Sequence, residues 1–209
     1  SSYTLKDGSF EFYYENGQSK EKGFFKGGES DGQWVSFHQN GNLKSKESYK
    51  NGKGDGIKDS FYDNGQLKSR EPSINGLKDG LWEYYLENGD LISRTSFKTS
   101  ILHGPSESTY ENGQVKHKGS YRDGKEVGVW EYFYQSGQVK QKNSFKYGEL
   151  DGPVDFYSKS GQLERKGFYK DGKEDRFWEY YHENGYLKSK GIFKRGRKTG
   201  TWKSFNKNG

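Results

Sequence analysis

Four histidines are the side chains best suited to proton transfer in this chain: His38, His103, His117 and His182. Imidazole titrates near neutral pH and also binds metals, but each of these four stands apart from the others. No His-Glu-x-x-His pair and no serine–histidine–aspartate order surrounds any of them. His38 and His182 fall where equivalent stretches carry Tyr, Leu, Ser or Asn, and read as tolerated substitutions. His103 replaces a turn aspartate, and His117 replaces a small polar residue. Oxygen-rich turns such as Asp-Gly-Lys-Glu-Asp at 171–175 lack the carboxylate spacing of calcium loops. Their Asp and Gly serve backbone geometry. There is no phosphate-cradling Gly-rich loop ending in Gly-Lys-Ser/Thr. The expectation is a protein that is not an enzyme and holds neither cofactor nor metal.

The lysines differ, because they recur on a fixed beat. From Asp7 the chain divides into eight units of 24 residues and a partial ninth at 199–209, beginning at 7, 31, 55, 79, 103, 127, 151, 175 and 199. Residues 1–6 form a lead-in, expected as a cap strand, and 7–209 a single repeat domain. The eleventh place in every unit is glycine, from Gly17 to Gly209, usually after asparagine. The second place is glycine in eight of nine units, Arg176 being the exception. A second turn, typically Lys-Asp-Gly-Lys, closes each unit.

Asn-Gly between short aromatic and β-branched runs predicts a hairpin with a two-residue type I′ turn. That register sets place 5 opposite place 16. Six of the resulting pairs are Glu11/Lys22, Asp59/Arg70, Glu83/Arg94, Glu131/Lys142, Asp155/Lys166 and Glu179/Lys190, and Glu107/Lys118 makes a seventh, with only Val35/Lys46 departing. Alternation then puts places 4, 6, 8, 13, 17 and 19 on an aromatic face. The other face receives the acid–base pairs, a ring at place 7, and lysines at 14, 16 and 20. Tryptophan at place 4 marks every even unit, a 48-residue superperiod in which a large ring packs over a smaller neighbour.

Composition agrees with a folded repeat array. Only 28% of the 209 residues are hydrophobic, yet 17% are aromatic and the net charge is just +6, so rings must do the work of an aliphatic core. There is no cysteine, which excludes disulfides and thiolate metal sites. No apolar run has the length of a transmembrane helix. Methionine is absent, an initiator included, so the chain is expected to be a processed or trimmed product. A cytoplasmic location and an exported or cell-envelope one, after removal of a signal, both stay open. The final Asn208-Gly209 stops mid-hairpin, so a strand or cap is expected to be missing or supplied otherwise.

The unit Trp-Glu-x-Tyr-Tyr-Glu-Asn-Gly-Gln-Leu-Lys-Ser-Lys-Gly resembles the MORN repeat (membrane occupation and recognition nexus). More closely, it is similar to the variant found in the bacterial YwqK-type antitoxin family, over residues 7–209. The resemblance implies an all-β fold: an elongated single-layer antiparallel β-sheet ribbon, a solenoid of stacked 24-residue β-hairpin repeats. It also implies a non-catalytic scaffold for protein–protein interaction whose partner is a toxin or an assembly component. The residues expected to bind that partner are Tyr85, Phe133 and Tyr157 at place 7, with Lys116 and Lys140 at place 14 and Lys118 and Lys142 at place 16. Two alternatives stand beside it. The lysines could grip anionic phospholipid at a membrane surface, or the rings could act as carbohydrate platforms. Nucleic acid is the least expected partner, because the place-5 acids neutralise much of the basic stripe.

Overall fold

The computed structural model describes residues 7–208, so the lead-in expected at 1–6 and the final Gly209 lie outside the described residues. The chain forms two compact units, Ser1–Leu102 and His103–Gly209. In the first, Gly8–Tyr13 pairs with Ser19–Lys26, then come Glu29–Phe37, Leu43–Lys50, Gly56–Phe61, Leu67–Ile74, Gly80–Tyr85 and Leu91–Lys98. In the second, the strand Ile101–Thr109 pairs from Gly104 onward with the strand Val115–Arg122. Lys125–Phe133, Val139–Lys146, Glu149–Tyr157, Leu163–Lys170, Lys173–Tyr181, Leu187–Lys194 and Arg197–Ser204 follow in order. Each unit is an open, all-antiparallel sheet, one layer deep, in which every strand pairs with its sequence neighbours. No described residue is helical.

The predicted register holds throughout. Place 5 faces place 16 in all eight complete repeats, from Glu11↔Lys22 to Glu179↔Lys190, Val35↔Lys46 included. The turn that produces it is not the one predicted. At the Asn-Gly loop the Tyr14 carbonyl accepts from Gly17 N at 2.9 Å, and Tyr14 N donates to Gln18 O at 2.8 Å. Gly17 alone has positive φ, at 82°. This is a three-residue loop, a type I turn followed by a glycine bulge. The longer loop shifts the pairing to Tyr13↔Ser19, and a bulge at Lys20 restores it at Phe12↔Glu21. The same skip falls at place 14 in the other repeats, for example at Lys68, Lys116 and Lys188. The two irregularities cancel, which is why the charge pairs still meet.

Type I′ geometry sits instead at the second turn, where Lys50↔Lys53 encloses Asn51 and Gly52 with φ of 50° and 70°. Thr99 and Ser100 adopt it without a glycine, at 51° and 66°. Aspartate at place 1 accepts from the first loop residue, as Asp31 Oδ2 does from Asn51 N at 3.3 Å.

The bulge also corrects one face assignment. Place 13 pairs with place 7, as in Leu187↔Tyr181, so it lies with the rings of place 7 rather than on the aromatic face. Between hairpins, a second irregularity sets three residues, places 2 to 4, opposite place 17, as between Lys22↔Val35 and Phe24↔Asp31.

The core lies on the aromatic face. Trp178 is fully buried, with Val154 at 1% and Phe193 at 7% exposure, and Leu150, Phe156, Tyr169, Tyr180 and Trp202 pack against them. The expected large-over-small packing has a definite form: each buried tryptophan lies on a glycine 11 residues earlier. A Cβ built on Gly167 would come within 2.1 Å of the Trp178 ring, and one on Gly23 within 2.2 Å of Trp34. Trp130 and Trp178 donate their indole N–H to Ser120 O and Phe168 O at 3.2 Å.

Candidate functional site

Successive hairpins are joined by side chains as well as strands, and this holds the charged face in a fixed frame. The place-8 ring donates to the place-7 carbonyl of the next repeat: Tyr14 to Phe37, Tyr62 to Tyr85, Tyr110 to Phe133 and Tyr134 to Tyr157, at 2.7–2.8 Å. His38 and His182 make the same contact with Phe61 O and Phe205 O at 3.0 Å. They are therefore substitutes for tyrosine with the same bonding role. The Asn of the loop adds a parallel link, as Asn112 Nδ2 donates to Gln135 O at 2.8 Å while its Oδ1 accepts from Gln114 N at 3.2 Å.

On the charged face the predicted binding residues are only partly assembled. Glu131 is held between Lys142 at 2.9 Å and Lys118 at 3.1 Å, and Lys118 lies 5.5 Å from the Phe133 ring centroid. The two ammonium groups hold the Glu131 carboxyl below its ordinary range, the Lys142 contact contributing most. Lys166 repeats the pattern with Glu179 at 3.0 Å, whose carboxyl also accepts from the Tyr181 hydroxyl at 2.8 Å. Burial, then Asp155, raises the Tyr157 hydroxyl. Lys118, Lys142, Phe133 and Tyr157 thus belong to one neighbourhood of the second unit. Tyr85 belongs to the first unit, beside Glu83, Arg70 and Arg94.

Lys116 and Lys140 lie elsewhere. Being the bulged residues, they carry their ammonium groups over the place-8 rings of Tyr110 and Tyr134, at 5.9 and 5.8 Å. The expected single basic stripe is therefore two separate rows, and its place-16 members Lys118, Lys142 and Lys166 are tied to carboxylates. The place-7 rings Tyr85, Phe133 and Tyr157 are half-buried.

Apolar exposure on this face lies one pair of places further along the strands, at 3 and 18. Val129 is 57% exposed, Phe177 50%, Ile192 47% and Phe24 39%, with Phe177 directly opposite Ile192. The signal was present as apolar residues at outward places of otherwise polar strands. Around Pro153, Phe168, Arg176 and Phe177 this surface forms a shallow depression of about 340 Å³. Arg176 has φ of 60° where every other repeat has glycine, a conformation costing an L-residue roughly 1–2 kcal/mol. Its guanidinium lies 3.9 Å from the Phe168 ring centroid.

His117 belongs to the aromatic face, 5.9 Å from the Trp130 ring and 6.1 Å from Tyr132, with Ser108 Oγ at 3.1 Å from Nδ1. Burial, and secondarily Lys116, lowers its pKa. Among the described residues no group of three or more His, Asp or Glu is arranged to hold a metal. No helix of the described residues is long and apolar enough to cross a membrane.

Stacked antiparallel hairpins on a 24-residue period, locked edge to edge by side-chain bonds, define an open-sheet repeat scaffold. The family model described as MORN repeat variant matches residues 6–26, 30–51, 55–75, 78–99, 102–123, 126–147 and 150–171, most of the sequence and in phase with the repeats. The chain belongs to the MORN repeat variant family. Among curated proteins, none matched it.

Proposed function

We propose that the chain is a non-catalytic scaffold that binds another protein through the charged face of its second unit, as an antitoxin or immunity-type protein or as a component of an assembly. The observation that carries this reading is the exposed apolar row formed by Val129, Phe177 and Ile192, bordered by the ion pairs of Glu131 and Glu179. Exposed apolar side chains ringed by paired charges have the composition of a protein interface, a desolvated centre within a polar rim. The backbone is already ordered by the hairpin links, so binding would carry little backbone-ordering cost on this side of the interface.

A membrane-surface role draws on different residues, the place-14 lysines over the place-8 rings, and makes the opposite prediction about salt. The carbohydrate reading has less to stand on, because Trp34, Trp130 and Trp178 are buried beneath neighbouring rings. The test is affinity capture with the whole chain, washed at low and then high salt, with protein and lipid both identified. A stoichiometric protein held at high salt and lost from a Phe177→Ser, Ile192→Ser variant supports the proposal. Anionic lipid alone, released by salt, overturns it in favour of a membrane-surface adaptor.

A further inference from the structure

Arg176 differs from its neighbours in two ways that point to a ligand. It replaces glycine at a place where all the other repeats use glycine with positive φ, and it keeps the left-handed conformation, φ 60°. An L-residue held there stores strain that surrounding contacts must offset, and such residues collect at binding sites. It is also a cation without an ion pair. Lys166 is tied to Glu179 at 3.0 Å and Lys170 to Asp151 at 2.8 Å, whereas no carboxylate among the described residues reaches the Arg176 guanidinium.

The guanidinium is not loose. Its central carbon lies 3.9 Å over the Phe168 ring centroid, and its N–H groups have no hydrogen-bond partner among the described residues. Phe177, half exposed, and Pro153 line the same depression. Phe24 and Gly32, the equivalent pair in the first unit, offer the same kind of ring without a cation.

We infer that this depression is a recognition site for an extended peptide segment bearing one carboxylate next to a large apolar side chain. This inference rests on the proposed protein-binding role and names the chemistry of the partner. A planar guanidinium with a free edge takes a carboxylate through two parallel N–H···O bonds, a geometry that ammonium cannot offer. The apolar side chain would cover Phe177 and Pro153. Asp155 and Glu179 also line the depression. Lys166 lines it too, tied to Glu179 at 3.0 Å, so the two acids disfavour a densely anionic surface while Arg176 remains for a single charge.

The test uses the full chain and two labelled heptapeptides, one with a central Glu between Leu and Phe in a Gly/Ser background, the other with Gln in place of Glu. Wild type should bind the Glu peptide about tenfold more tightly, the scale of a charged hydrogen bond. R176G restores the glycine of the other repeats, so it should fold at least as well, and the two peptides should then bind equally. R176K, keeping the charge without the fork, should fall between. No discrimination by wild type, or discrimination that persists in R176G, overturns the site. So would loss of phosphatidylserine vesicle binding in R176G without any peptide preference, which would assign Arg176 to lipid. A cellular protein captured equally by wild type and R176G would sink this site and leave the protein-binding role standing, whereas a wild-type chain that captures no protein removes that role.

Discussion

The two units share a repeat and a register yet differ in what lies under their rings. In the second unit glycines 119, 167 and 191 lie beneath Trp130, Trp178 and Trp202, and Val154, Trp178 and Phe193 form a continuous buried cluster. In the first, only Gly23 plays that part, beneath Trp34. Place 17 is otherwise Thr95, Glu47, paired at 3.2 Å with Lys58, and Glu71; burial, and then Glu71, pushes the Tyr84 hydroxyl up to about 12. Trp82 has no glycine beneath it and is only half buried, with Lys78 4.0 Å from its ring centroid. The strands differ in step: Lys53–Gly54 and Leu77–Lys78 are short pieces cut off at Asp55 and Asp79, where the second unit has unbroken strands of nine residues. In a sheet one layer deep, burial depends on rings covering one another, and that depends on whether the neighbouring residue leaves room.

The largest test of this contrast removes a ring from each unit. Trp178→Ala should cost about 3–5 kcal/mol, the range for a buried aromatic, and Trp82→Ala clearly less. Hydrogen exchange, read unit by unit, would show equal losses if glycine floors are irrelevant.

Next comes the floor itself. Gly167→Ala places a methyl group against the Trp178 ring and should destabilise the second unit by about 1–3 kcal/mol. The converse change, Glu71→Gly, should let Trp82 settle further into the first unit. Fluorine NMR of fluorotryptophan-labelled protein, which resolves individual indoles, would report reduced solvent exposure of Trp82. An unchanged Trp82 signal would show that something other than place 17 keeps it half exposed.

Removing one hairpin link should erase the difference between units. Tyr62→Phe and Tyr134→Phe each delete a hydroxyl bond to the following repeat, of 2.7 and 2.8 Å. Each should cost about 1 kcal/mol, the net worth of such a bond, measured by urea unfolding. A marked inequality would mean the link depends on the packing beneath it.

The smallest expected effect is on pH. His117 has its pKa depressed in the folded chain, so the folded state favours the neutral ring while the unfolded chain binds a proton first. The stability it contributes is present above the ordinary histidine value of about 6.5 and is lost as pH falls from there toward the depressed value. Acidification across that window should weaken the second unit and leave His117→Gln unaffected. Glu131 and Glu179, also depressed, act in the same direction in the carboxylate range below it. A His117→Gln chain with the same slope through the histidine window would refute the assignment.

Much of this was legible in the amino-acid order. The 24-residue beat, the hairpin, the facing of places 5 and 16, and the role of aromatic rings as core follow from local preference and period, and neighbouring repeats reinforce them. The pairing of glycine at 23, 119, 167 and 191 with tryptophan 11 residues later was also written in the chain, though it becomes readable only when two repeats are superposed in the register of the sheet. What needed the tertiary structure was each choice between locally equivalent states. Asn-Gly suits a type I′ turn as well as a type I turn with a glycine bulge, and contacts such as Asn112 to Gln135 lie in the next hairpin. One extra residue in the loop creates the bulge at place 14, which moves Leu187 to the other face and carries Lys116 and Lys140 away from Phe133 and Tyr157. Side-chain direction in a strand has a period of two, so a single added residue reverses it, and that residue is held both by bonds within its loop, as from Gly17 N to Tyr14 O, and by bonds to the next repeat, as from Asn112 to Gln135 O.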